Sequence, residues 1–233
     1  MRLVTIQQPG TRLLTVVALL FFVFLSASGF AAEDDKTYQL DYTVALQPSQ
    51  DSADVTIRIS DGALLKSLDF SVDPERYSNI KADGNIQIKD GRAIWKPENG
   101  PGEFNYTVKI SSKRDNGKYD AYLTEDWAIF RGDNLIPSAR VKGVKGATSE
   151  ARLNFVLPEG WTNVDTGWPR DKDGSFFINN PERDFDRPVG WIIAGKAGTR
   201  RDMLSQTEIS VGAPNGSAIH RMDVLAFFNF VWP

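Results

Sequence analysis

A single histidine, His220, stands in a chain of 233 residues that contains no cysteine, and this shortage decides which chemistries are open. A zinc-peptidase helix needs two histidines one turn apart with a glutamate between them. His220 is followed by Arg221-Met222-Asp223-Val224, so that motif is absent. Thiol catalysis and thiolate metal sites are excluded with the cysteines. A serine triad would have to bring this one ring to a buried Ser and Asp, and nothing near His220 supplies them. Asp171-Lys172-Asp173-Gly174 opens like a calcium loop, but the closing glutamate is missing and a hairpin turn explains the glycine. Acid pairs such as Glu125 with Asp126, or Asp184 with Asp186, are neighbours in sequence, which is no evidence for facing carboxylates. No catalytic residue, metal ligand or cofactor is therefore assigned, and the chain as given does not read as an enzyme. What remains are aromatic rings. Trp161, Trp168 and Trp191 lie among Gly and Pro, and indole faces in such loops either stack on ligands such as sugar rings or fill the core.

The elements that must position these residues are strands. Tyr38, Leu40, Tyr42, Val44 and Leu46 alternate with polar neighbours, as do Val55, Ile57 and Ile59, then Phe104, Tyr106, Val108 and Ile110, then Leu153, Phe155 and Leu157. A period of two with one apolar face predicts half-buried strands, the kind found in antiparallel sheets. Asp61-Gly62, Asp83-Gly84, Asp90-Gly91 and Asp173-Gly174 punctuate these runs, and Asp-Gly is a strong signal for tight turns. Ile86 to Trp95 and Lys172 to Ile178 read as hairpins. The fold class expected is all-β: an antiparallel β-sandwich with hairpin connections, followed by one short C-terminal helix. That helix is signalled by Ile219, Met222, Leu225 and Phe228 at three-residue steps, an apolar stripe suited to docking against another surface. Ser217 is a candidate N-cap.

Arg2 and Arg12 precede an apolar run, Leu13 to Leu25, that ends in Ser26-Ala27-Ser28-Gly29. This is the layout of a signal peptide, with cleavage expected near Ala31 or Ala32. The competing reading is an uncleaved signal anchor, since Leu13 to Ala32 is about the length of a membrane span. The expected division is thus a signal peptide over 1–32, a β-sandwich domain over 33–216, and an apolar helix over 217–233 that reads as the start of a further domain. Removing the leader takes away two arginines and no acid, leaving 25 basic groups against 30 acidic ones. A basic footprint for nucleic acid is absent. The expected location is periplasmic or secreted, with membrane contact only through an uncleaved leader.

One resemblance extends this reading over about half of the mature chain. Tyr119-Asp120-Ala121-Tyr122 leads to Trp127-Ala128-Ile129-Phe130 and Asn134-Leu135-Ile136-Pro137; Leu157-Pro158-Glu159-Gly160-Trp161 ends a strand; Asp186-Arg187-Pro188-Val189-Gly190-Trp191 precedes Ile192-Ile193-Ala194-Gly195-Lys196. This order resembles the N-terminal β-domain of the glycyl aminopeptidase family of zinc metallopeptidases. The resemblance implies a β-sandwich that precedes a thermolysin-like catalytic domain, which opens with a helix where Ile219 to Trp232 lies here. The family's zinc helix has no counterpart in this sequence, so none of its metal or catalytic residues carries over.

Two functional readings follow. In the first, a non-catalytic secreted or periplasmic domain forms one wall of a peptide cleft or docks a partner, a catalytic domain or an envelope protein, through Ile219, Met222, Leu225 and Phe228. In the second, a stand-alone module binds carbohydrate or protein, with Trp161, Trp168 and Trp191 as ligand contacts.

Overall fold

The computed structural model describes residues 36–180 and 185–231; the signal peptide expected over 1–32, with its expected cleavage site, lies outside them. The first alternating segment becomes β1 (Thr37–Gln47), with Tyr38, Leu40, Tyr42, Val44 and Leu46 all buried. It sits inside a six-stranded sheet with β2 (Ser52–Ile59), β4 (Tyr77–Ala82), β7 (Gly102–Lys109), β12 (Thr148–Val156) and β14 (Phe176–Ile178), ordered β14-β12-β1-β2-β7-β4. A four-stranded sheet, β11-β3-β6-β5, packs on it and contains β3 (Leu65–Ser71), β5 (Asn85–Lys89), β6 (Arg92–Lys96) and β11 (Ala139–Gly143). The two share one core: the Phe70 and Phe104 ring centroids lie 4.6 Å apart, and Trp95 lies 5.6 Å from Phe104.

The third sheet, β13-β15-β10-β9-β8, holds β8 (Ser112–Lys113), β9 (Tyr119–Leu123), β10 (Trp127–Arg131), β13 (Asn163–Thr166) and β15 (Trp191–Gly195). Its inner residues Leu123, Ala128, Phe130 and Ile192 join the same core. A single helical turn, α1 (Gly132–Leu135), ties it to the first sheet, because Tyr77 and Tyr106 donate to the carbonyls of Asn134 and Leu135, each at 2.9 Å. The two last strands, β16 (Ala197–Leu204) and β17 (Thr207–Pro214), pair only with each other as a long ribbon. The C-terminal helix α2 (Arg221–Val231) packs on that ribbon.

The all-β architecture with one short C-terminal helix is as expected, with three differences of detail. Among the described residues the β sheets number three plus a ribbon, where a simple antiparallel sandwich was expected. One pair is parallel: β1 runs alongside β12 in register from Thr37 opposite Thr148 to Ala45 opposite Val156. Alternating burial is the same for either direction of a neighbour, so periodicity carries no signal for it. Of the four Asp-Gly pairs, Asp90-Gly91 makes the tight hairpin between β5 and β6, with both residues at positive φ (48° and 70°). Asp173-Gly174 turns the chain into β14. Asp83-Gly84 carries it from the first sheet to the second, and Asp61 caps a short 3-10 turn by accepting from the Ala63 N–H.

Candidate functional site

Gly195 ends β15 at φ +116°, and a Cβ there would lie 2.4 Å from the Asp126 carbonyl oxygen. Only glycine fits this close approach, and the chain bends there to leave the sheet as the ribbon. Further along, Gly212 passes so near β15 that a Cβ would meet Ile193 Cγ2 at 2.8 Å. Between the ribbon and the sheet lies a cleft of about 700 Å³, walled by β13, β15, the ribbon and the 167–170 loop.

Two of the three tryptophans singled out in the sequence meet here. Trp191 stands on the rim, 51 % exposed, while Trp168 is half-buried and donates its indole N–H to the Val189 carbonyl at 3.1 Å. Trp161 is elsewhere: it is buried and donates to the Glu125 carbonyl at 2.9 Å. Trp191 is held by a relay. The Gly190 N–H and the Arg131 guanidinium both bind Asp133, at 3.2 and 3.1 Å, and Arg131 then lies 5.5 Å from the centroid of the Trp191 ring. Burial pushes the Asp133 carboxyl up, but the hydrogen bonds from Arg131 and from the Asp133 and Gly190 backbone outweigh it and leave the group below the usual carboxylate range.

The floor of the cleft is polar. Asp165 on β13 is 4 % exposed; one of its oxygens accepts from Arg201 on β16 and the other from Ser210 on β17. One carboxylate thus fastens both strands of the ribbon to the sheet. The hydrogen bond to Asp165 also raises the Arg201 pKa. Asn163 adds a bond to Thr199 at 3.1 Å. Beside Asp165, Thr166 lines the cleft, and its buried Oγ1 has no hydrogen-bond partner among the described residues. Arg170 closes one end, donating to the Val164 carbonyl and lying over the Phe176 ring at 4.7 Å.

Sequence inspection missed Asp165, Arg201 and Arg131. The one available signal was an acid inside a short strand between Val164 and Thr166; its partners lie 36 and 45 residues away, on two strands that were not singled out from the sequence.

The second predicted surface is divided by its helix. Leu225 is buried and Val224 and Phe228 are half-buried against the ribbon, with Asn229 donating to Asp202 at 2.9 Å. Ile219 and Met222 are exposed, together with Phe227 (60 %), Phe230 (87 %) and Val231, which form the outward side. The helix starts at Arg221, so Ser217 lies in the turn before it, where its N–H donates to Pro214. His220 is exposed at that start.

Among the described residues, no group of three or more His, Asp or Glu is placed to hold a metal ion. The Asp173 carboxylate of the calcium-like loop accepts from the Ser175 N–H and hydroxyl, and Asp171 pairs with Arg152 at 2.6 Å. Asp173 thus serves the turn, and Asp171 ties it to β12. The motifs behind the family resemblance prove to be joints: Arg187 donates to the Ile136 carbonyl at 2.9 Å, Gly132 to Gly190 at 2.8 Å, and the Asp186 carboxylate is buried on Ser149 and Asn180.

Fold and site together define a β-rich domain with a cleft between sheet and ribbon. The fold matches an aminopeptidase N family protein from Idiomarina loihiensis with a TM-score of 0.58 at 16 % identity, over 80 % of this chain and 34 % of that one. An M1 zinc metallopeptidase from Deinococcus radiodurans aligns over 84 % of this chain and 52 % of its own, at 14 % identity and a TM-score of 0.39. The chain thus spans about a third to a half of the length of these proteins, and what it shares with the first of them is the fold. No protein-family model and no curated protein matches the sequence.

Proposed function

We propose that this chain is a non-catalytic, exported domain of a metallopeptidase-like protein and works as a docking module. Its occupant is a second folded domain of the peptidase type, seated on the outward side of α2. The observation that carries this reading is the exposure of Phe227 and Phe230, at 60 % and 87 %, on a helix whose other side is already packed. Large aromatic side chains grouped on a surface mark interaction sites more often than they occur idly. Support comes also from the partial coverage of the Idiomarina protein, where a region of this fold shares one chain with other sequence.

The test uses residues 33–233 and any domain carrying an H-E-x-x-H helix that the same reading frame encodes past codon 233 or that an adjacent gene supplies. Sedimentation of the mixture is expected to show a one-to-one complex that Phe227→Ser with Phe230→Ser weakens at least tenfold. A chain that stays monomeric beside such a domain, or a double variant that binds as well as the parent, would overturn the reading.

A further inference from the structure

We propose that the cleft between the third sheet and the β16–β17 ribbon binds an uncharged oligosaccharide, with Trp191 as the platform on which a sugar ring stacks. The inference rests on the cleft alone and stands or falls independently of the docking role of α2.

Two properties of the cleft select this ligand class. The first is an exposed indole on the rim, oriented by Arg131 and Asp133 and backed at depth by Trp168. A sugar ring presents an apolar C–H face that fits such a surface, with burial of apolar area as the driving force. The second is electrical balance. Asp165 and Glu208 line the cleft against Arg170 and Arg201, and Arg201 reaches both acids, Glu208 at 3.7 Å. The four charges sum to zero, so the cleft as a whole exerts no net pull on an anion or a cation, whereas hydroxyls, which both donate and accept, can join a mixed set of this kind.

An extended peptide fits less well. Peptides commonly add to a free sheet edge through backbone hydrogen bonds, and β13 is the edge strand here. The Arg170 guanidinium already occupies the Val164 carbonyl.

Isothermal titration of residues 33–233 with cellohexaose, maltohexaose and chitohexaose, and with penta-alanine as the peptide control, decides the matter. At least one hexasaccharide is expected to bind saturably with Kd below about 1 mM, which corresponds to about 4 kcal/mol. Trp191→Ala should weaken that binding at least tenfold while leaving the unfolding midpoint in place, as befits a ring that is half exposed. Phe230→Ser, on the far helix, should leave it unchanged. No binding by any of the three sugars, equal binding by Trp191→Ala, or tighter binding of penta-alanine would each overturn the proposal.

Discussion

Asp133 illustrates how a side chain outside the cleft sets its shape. Its carboxylate collects the Gly190 N–H and the Arg131 guanidinium, and through Arg131 it fixes the indole of Trp191. Because its folded pKa is depressed, the stabilisation it gives is present above the unfolded value near ~3.9 and is lost as pH falls through the lower, folded value. Asp133→Asn is therefore expected to cost about 1–2 kcal/mol at pH 7, the worth of a charge-assisted hydrogen bond or two in a partly exposed site. The deficit should shrink below about pH 4 as the parent protein loses the same charge. Urea unfolding at pH 7 and at pH 3 checks this, and a deficit independent of pH would count against it. At this scale the sequence was legible for rings and silent for their supports. Trp168 and Trp191 stand out by type, but nothing local tells that Trp161 turns inward to Glu125 while Trp191 faces out.

At the scale of elements, legibility followed the burial pattern. β1, β2, β7 and β12 each bury one face in alternation, and each was predicted from that alternation. The ribbon was not, because four successive residues of β16, Arg200 to Met203, are exposed on both faces. Its turn also lacks glycine: Ser205 takes φ +54° in place of the usual Gly or Asn. What places the ribbon is the bend before it. Gly195→Ala would combine a strained backbone with a clash against Asp126 and Trp127, at a cost of about 2–4 kcal/mol. The expected outcome is a lower unfolding midpoint and faster amide exchange across 197–214 than across β1 and β2. Uniform exchange changes would argue that the bend is not what anchors the ribbon. The short helix was legible as an element, yet its two sides were not: spacing alone groups Leu225 with Met222, whereas packing on the ribbon buries one and leaves the other exposed.

At the scale of the molecule, the chain is acidic and has no cysteine. Its stability therefore rests on one apolar core shared by three sheets and on no disulfide. The leader is the basis for proposing export. Intact-mass measurement of protein recovered from the periplasm or the medium is expected to place the mature start near Glu33; a full-length mass in the membrane fraction would replace cleavage by anchoring. Fold class could be read from the sequence because alternation and turns are local. The pairing of β1 with β12 could not, since it joins residues 111 positions apart.

That parallel pair has a consequence in time rather than in space. The first described strand must wait inside an incomplete sheet until residue 156 has been made, with its edge open and its apolar face unclosed. Contacts of such long range are slow to form because loop closure must come first. Under the export proposed above, this delay would keep the chain threadable, since no stable domain forms before most of its length is made. The same delay exposes β1 to other chains at high concentration, so rapid refolding from denaturant should favour aggregation over recovery more than slow dilution does.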